Sequence, residues 1–357
     1  MKWLRFSAII TLCLFVYSCS TIESAFEPSG SAGASRAPST LLPYVQNNKV
    51  GFLDEELQSW IAPTYGFNPN DPDWPYSFTE GLAAVTINGQ TVYINRAGDI
   101  AIQSNFQEGY RFSEGLALVK TQGQYGYITP SGHFRIEARF NDAKNFNNGL
   151  AAVQPKAGGP WGYIDKSGTM VIEPEYTQAQ SFSDGLALVQ TATHLEWGYI
   201  NKDGAVVITP QYREAKSFSE GLAAVQLEYR QWGYITKEGE ITIESQFIDA
   251  GTFRGGMAPV ALPESAGNLA SQKYGYINKN GEFLIEPQFD QAHPFVHGRA
   301  RVQLNGKYAY INEEGKLLTG SIFERAWDFS EGYALVQAGG RYGYINRKGL
   351  FVIGLSQ

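Results

Sequence analysis

The chain has 357 residues, among them 39 glycines, 21 tyrosines, 21 phenylalanines and two cysteines, with 18% charged residues. A hydrophobic content of 43% can supply a core and excludes wholesale disorder, while two cysteines exclude a disulfide-stapled scaffold. The formal charge of −7 argues against a general nucleic-acid or anionic-lipid binder, because phosphate surfaces select a surplus of Lys and Arg.

The chain opens with Lys2 and Arg5, followed by an apolar stretch from Phe6 to Val16. This is the charged and apolar pattern of a secretory signal peptide, expected over residues 1–18 and too short to span a membrane. The next residues, Val16-Tyr17-Ser18-Cys19, resemble the lipobox of bacterial lipoproteins. That resemblance implies cleavage before Cys19 and acylation of its thiol, giving a membrane partner through an N-terminal lipid anchor. Cys13 would leave with the leader, so Cys19 would be the only cysteine of the exported chain. Two or more acyl chains hold a protein stably where one does not. Ser20, in the position after the Cys, implies by the same resemblance the outer membrane. Loss of Lys2 and Arg5 takes the formal charge from −7 to −9. Residues 19–42 are rich in Ser, Ala, Gly and Pro with no periodic apolar pattern, so a flexible tether is expected there, with a reach of roughly 25 Å.

From residue 43 to 357 one unit recurs. Phe112-Ser-Glu-Gly-Leu-Ala-Leu-Val119 returns at Phe182 and Phe218, and in looser copies at Phe78, Phe146, Phe253, Phe295 and Phe329, over residues 78–354. Each copy is followed by a Trp/Tyr-Gly-Tyr-Ile segment whose third position is Tyr93, Tyr127, Tyr163, Tyr199, Tyr234, Tyr276, Tyr310 or Tyr344. From each of the first seven of these tyrosines to the next unit's Phe the offset is constant at 19 residues. Only the stretch between Val and the Trp/Tyr varies, so insertions fall at one structural place, a loop. Within a unit, Gly185–Gln190 reads as a first strand and Trp197–Ile200 as a second. Asn201-Lys-Asp-Gly204 is then a tight turn, and Val206–Ile208 a third strand stopped by Thr209-Pro210. The Gly before each Tyr-Ile pair is expected to admit a neighbouring ring or backbone.

A degenerate starter over residues 45–77 precedes the array. Val50–Asp54 matches the second strand and Trp60–Tyr65 the third, and Asn68–Tyr76 is an inserted loop. The fold class is therefore all-β, a tandem array of about eight three-stranded antiparallel units. Two architectures compete. A closed β-propeller needs its last blade completed by a strand from the first. This array begins with a second-and-third-strand pair and ends with another, leaving no vacancy, so an open, curved β-solenoid is the favoured expectation and a closed ring the alternative.

The pattern Trp-Gly-Tyr-Ile, then Gly four residues on, then Ile-x-Pro-x-Tyr/Phe, resembles the bacterial WG-repeat family. Trp161-Gly162, Trp197-Gly198 and Trp232-Gly233 carry the eponymous pair, and Tyr125-Gly126, Tyr274-Gly275 and Tyr342-Gly343 a Tyr variant. Thr91-Val92 and Tyr308-Ala309 depart from it. The resemblance covers roughly residues 45–354 and implies an exported repeat protein with no agreed catalytic activity.

No catalytic site is expected. The acids Glu80, Glu114, Asp184, Glu220 and Glu331 precede the Gly of a turn, where local hydrogen bonding to backbone accounts for them. His133, His194, His293 and His297 lack further ligands at metal spacing, so neither metal nor cofactor is expected. No nucleophile elbow or phosphate-cradling loop is present in the sequence. The repeated aromatics read as core residues rather than as a stacking ladder for sugars. Recognition is assigned to the variable loops, which should emerge together. The longest, Ala261–Lys273, supplies Leu262, Pro263, Glu264, Asn268 and Gln272 as candidate binding residues, and the starter loop with Trp74 is the second candidate. The expected function is a non-catalytic, envelope-anchored scaffold for a protein partner. The alternative is a glycan- or cell-wall-binding lipoprotein that uses aromatic platforms; nucleic acid is not an expected partner.

Overall fold

The structure, a computed structural model, describes residues 38–68, 76–192, 195–263, 272–320 and 322–356. All of them belong to one compact unit, Ala37–Gln357. The signal peptide, Cys19 and most of the predicted tether lie outside the described residues. Where the tether was expected to end, Pro38 and Ser39 lend their carbonyl oxygens to the Arg96 guanidinium at 3.1 and 2.6 Å.

The starter is a complete unit: β1 (Leu42–Gln46), β2 (Lys49–Leu53) and β3 (Ser59–Gly66). The first repeat follows as β4 (Leu82–Ile87), β5 (Gln90–Asn95) and β6 (Ile100–Phe106). A single pairing of Gly66 with Thr86 joins β3 to β4, so these six strands form one sheet. The other seven repeats each make a sheet of three or four strands, for eight sheets in all among the described residues. Every pairing is antiparallel and joins neighbours in sequence. In most repeats a two-residue strand from the connector, such as Asp142–Ala143, adds to the first strand's free edge.

The sequence pattern explains each ladder. First strands such as Leu150–Gln154 are buried along nearly their whole length, which suits a run of Leu, Ala and Val packed on both faces. The third strands alternate: Met170–Tyr176 buries Ile172 and Tyr176 and exposes Val171 and Glu173. They also run further than the sequence suggested. The strand expected to stop at Thr209-Pro210 continues to Tyr212. Proline is tolerated there because this is the sheet's outer edge, where no ladder partner needs an N–H, and Pro174 and Pro287 recur at the same place; Pro63 stands at the same position of β3, whose one pairing to β4 is at Gly66.

The Trp-Gly-Tyr glycines have a single cause. Between Trp161↔Tyr176 and Tyr163↔Ile172 the register slips, and the third strand's backbone bulges toward the second. A Cβ on Gly162 would fall 2.5 Å from the Ile172 carbonyl oxygen and 2.9 Å from the Pro174 nitrogen. Of the two alternatives, ring or backbone, backbone is the neighbour that glycine admits.

Units are joined through the second-strand tyrosine. Tyr199 packs edge-on against Phe218 with centroids 4.7 Å apart and Tyr234 against Phe253 at 5.0 Å, while Tyr127 meets Phe146 tilted at 4.8 Å. Each partner is the Phe 19 residues on, in the next unit. The same hydroxyls donate to a carbonyl 17 residues on: Tyr127 to Lys144 at 2.7 Å, Tyr163 to Gln180 at 2.7 Å, Tyr199 to Lys216 at 2.8 Å. These tyrosines are fully buried, and burial drives their pKa far above the ordinary tyrosine value. The invariant 19-residue spacing thus records two simultaneous contacts, and one inserted residue would break both. Each edge-on aromatic pair contributes about 0.5–1.5 kcal/mol beyond its buried area.

The open solenoid is overturned: the array closes into a β-propeller ring. Tyr344, in the last unit, donates its hydroxyl to the Pro43 carbonyl in β1. Phe67 of the starter meets Tyr342 edge-on at 5.2 Å, and Thr40 donates to a Glu331 carboxylate oxygen at 3.3 Å. One hydrophobic cluster contains Leu42, Val45, Val50 and Phe52 together with Leu335, Tyr342 and Tyr344. The expectation fails because β1, Leu-Pro-Tyr-Val-Gln, lacks the repeat's Gly-Leu-Ala signature yet forms a first strand. With β1 present the seam lies between two complete units, and closure requires packing rather than a borrowed strand.

Candidate binding face

Because each hairpin from first to second strand points the same way along its unit, the described bases of the variable loops lie at one end of the ring. The Phe-Ser-Glu-Gly and Asn-x-x-Gly turns occupy the other. The two ends differ in kind. Turns repeat closely at one end, whereas the loops differ in length and composition at the other.

At the turn end the acids have a structural task. Glu80 accepts from the Gly115 N–H at 2.9 Å, Glu114 from Gly149 at 3.0 Å, Asp184 from Gly221 at 2.7 Å, and Glu220 from Gly255 and Gly256 at 2.6 and 3.0 Å. Their bonding is to backbone, as the sequence suggested, but to the turn of the next unit rather than to their own. Lys166 and Lys279 add ion pairs to Glu114 and Glu220 at 3.2 and 3.6 Å. Partial burial pushes Glu114 up, but the Lys166 ammonium and the Gly149 and Asn148 N–H groups more than reverse this and hold it below the usual carboxylate range. These carboxylates stitch neighbouring units together.

The histidines do not converge. His133 is exposed beside Ser131, His297 sits in a turn, and His194 lies outside the described residues. His293 is half-buried, with its Nδ1 3.3 Å from the Arg301 guanidinium, and burial followed by that cation lowers its pKa to about 4. Among the described residues no group of three His, Cys, Asp or Glu side chains comes together to hold a metal.

The sequence-predicted loop is shorter than its span suggested. Strands extend into it: Leu262 pairs with Lys273 and Pro263 with Gln272. Leu262 packs against the core of its unit, and the Gln272 amide donates to the Tyr274 hydroxyl at 3.2 Å, which in turn donates to Asp249 at 2.7 Å. Leu262, Pro263 and Gln272 therefore stand together at the base of the loop. Glu264, Asn268 and Trp74 lie outside the described residues.

A feature the sequence reading passed over lies on the same end, in the hairpin after Val225. Other short hairpins of this position turn on residues suited to left-handed backbone: Asn47-Asn48, Asn88-Gly89, Gln122-Gly123, Asn305-Gly306 and Gly339-Gly340. Here the turn carries Tyr229-Arg230, with Arg230 forced to φ 57°. A bulge between Gln226 and Glu228 accompanies it. Tyr229 is 67% exposed, more than any other large apolar or aromatic side chain among the described residues. The guanidinium carbons of Arg213 and Arg230 lie 5.4 and 5.3 Å from its ring centroid. Beside it opens a cleft of about 360 Å³ lined by Leu195, Gln226, Leu227, Glu228, Tyr229 and Arg213, among others. The signal was available in the sequence as a Tyr-Arg pair where a turn wants Asn-Gly.

Comparison with known proteins bears on family and fold. The family model described as WG containing repeat matches seven segments: residues 93–125, 125–156, 161–191, 197–230, 232–262, 274–308 and 308–342. No curated protein matches the chain significantly. Among solved structures, one titled as the eukaryotic initiation factor is similar, with a TM-score of 0.61 at 10% identity, over 89% of this chain and 97% of that one. BamB from Moraxella catarrhalis has a TM-score of 0.47 at 12% identity, covering 83% and 97% of the two chains. At such identity the first of these speaks for the fold alone.

Proposed function

The chain belongs to the WG containing repeat family, and from that premise we propose that it is a non-catalytic scaffold that binds a protein partner at the loop-bearing end of its ring. The observation that carries this reading is the contrast between the two ends. A framework held to constant Tyr-to-Phe spacing bears loops that are free to vary, and such loops on a rigid array are where recognition is placed. The acids and aromatics that could have suggested chemistry are accounted for as inter-unit contacts, and no cofactor is required.

The same reading places the scaffold at the cell envelope, tethered through an acylated Cys19, with the outer membrane as its destination. Support comes from the leader-like residues 1–18 and the lipobox resemblance. Glycan binding through aromatic platforms is the weaker reading, because the repeated second-strand tyrosines are buried.

One experiment tests both halves. The full-length chain is expressed with a photo-crosslinking residue at Lys202, on the turn end, or at Gln226, on the loop end, alongside radiolabelled palmitate. Protein adducts from the loop end alone, and label that disappears in Cys19→Ala, are expected. Adducts from neither end remove the scaffold reading, and label that persists in Cys19→Ala removes the anchor.

A further inference from the structure

We propose that the cleft beside Tyr229 is the recognition site for an acidic, leucine-bearing peptide segment of the protein partner, with Arg213 from the cleft wall and Arg230 from the far side of the turn, at the Tyr229 ring, as the carboxylate-binding groups. This rests on the scaffold reading above and narrows it to one site and one ligand chemistry.

Three observations converge. First, the turn is built against its own backbone preference: Arg230 adopts a left-handed conformation where equivalent hairpins use mostly Asn or Gly. Two long side chains, Tyr229 and Arg230, therefore stand exposed at a hairpin tip where most of the other short hairpins carry Asn or Gly. Second, both guanidinium groups are held at the Tyr229 ring. Neither has an ion-pair partner among the described residues, although Glu196 and Glu228 stand at the same cleft. Their N–H donors are thus pre-oriented by the ring and still available for a carboxylate, which guanidinium recognises through paired hydrogen bonds. Third, the cleft has an apolar side. Leu195 is 60% exposed and Leu227 lines the wall, so an aliphatic side chain next to the acidic one would be covered.

The chemistry favours a peptide over an acidic sugar. A pyranose needs a free aromatic face to stack upon, and here the Tyr229 ring carries two cations. Tyr and Arg around a small apolar floor are also the residue types that dominate protein–protein hot spots. Glu196 and Glu228 set the specificity by repelling a segment with uninterrupted acidic charge, so the preferred ligand alternates acidic and aliphatic residues.

The test uses the full chain and three probes: a fluorescent octapeptide alternating glutamate and leucine, its lysine-and-leucine counterpart, and polygalacturonate. The acidic peptide is expected to bind, the basic one not, and affinity should fall about tenfold in Arg213→Gln and in Arg230→Gln. Lys202→Gln, on the opposite end, should leave binding unchanged, and unchanged melting temperatures show that the variants fold. Equal binding of both peptides, indifference to both arginine variants, or tighter binding of polygalacturonate overturns the assignment. Protein crosslinking at the loop end that persists in an Arg213→Gln/Arg230→Gln double variant would remove this cleft while leaving the scaffold reading standing. Loss of crosslinking in the double variant supports the cleft.

Discussion

Tyr344 and Pro43 are separated by 301 positions in the chain and joined by a single hydrogen bond from phenol to carbonyl. The same hydroxyl in interior units reaches only 17 residues ahead, so this bond marks the seam. Tyr344→Phe removes a buried donor and strands an acceptor, at an expected cost of about 1–3 kcal/mol. Tyr199→Phe, which loses the Lys216 carbonyl bond, should cost a similar amount. Urea unfolding of the two variants side by side checks this; a silent Tyr344→Phe would mean that the seam is open in solution.

Gly162→Ala should destabilise through crowding rather than torsion. Its Cβ would meet the Ile172 carbonyl and the Pro174 nitrogen, both backbone atoms that cannot rotate away. Overpacking of this kind costs about 1–3 kcal/mol, and the equivalent changes at Gly198 and Gly275 should match it because the geometry repeats. Thermal unfolding of the three variants is the measurement, and a spread wider than the individual losses would argue that the bulge is not the common cause.

Glu114 predicts a pH effect. Its pKa is held below the ordinary carboxylate range, so the folded state binds its proton less readily than the unfolded chain does. The resulting stability is present above the unfolded pKa and is lost as pH falls through the folded value. Glu114→Gln should therefore be less stable near neutrality and lose less on acidification than the unmodified chain. Denaturation midpoints from pH 7 down to pH 3 would show the two curves converging.

His293 gives a second acid limb at higher pH. Burial and then Arg301 lower its pKa to about 4, with Asp328 opposing them weakly, so the ring stays neutral in the fold where an unfolded histidine would already charge. Stability that depends on the neutral ring declines as pH drops below the unfolded value of about 6.5 and is fully lost below about 4. His293→Gln should flatten the curve in that window and leave the region above pH 7 unchanged in shape.

Much of this was legible in the amino acids. The offset from Tyr to the next Phe located the unit and its loop, and the structure supplies the physical reason in a shared ring contact and a shared hydrogen bond. Ring closure was not legible, for two reasons. The angle between successive units depends on how their buried side chains pack in three dimensions, which spacing does not encode. And β1 keeps the burial of a first strand while Pro43 and Tyr44 replace the small residues that identify one. Leu262 misled for a different cause, since loop length in sequence does not reveal how far the ladder climbs into it. Tyr229 lies in one of the shortest hairpins, where loop length carries no signal and only the exchange of Asn-Gly for Tyr-Arg does.

The seam between two whole units has an evolutionary consequence. In rings clasped by a shared sheet, deleting or duplicating a blade orphans a strand at one terminus. Here the first sheet is completed by the chain's own β1–β2 hairpin and the last by Phe351–Ser356 alongside its neighbour. A crossover at equivalent points of two repeats would add or remove a unit with every ladder intact, leaving only the nesting of aromatic rings to decide which circumference closes.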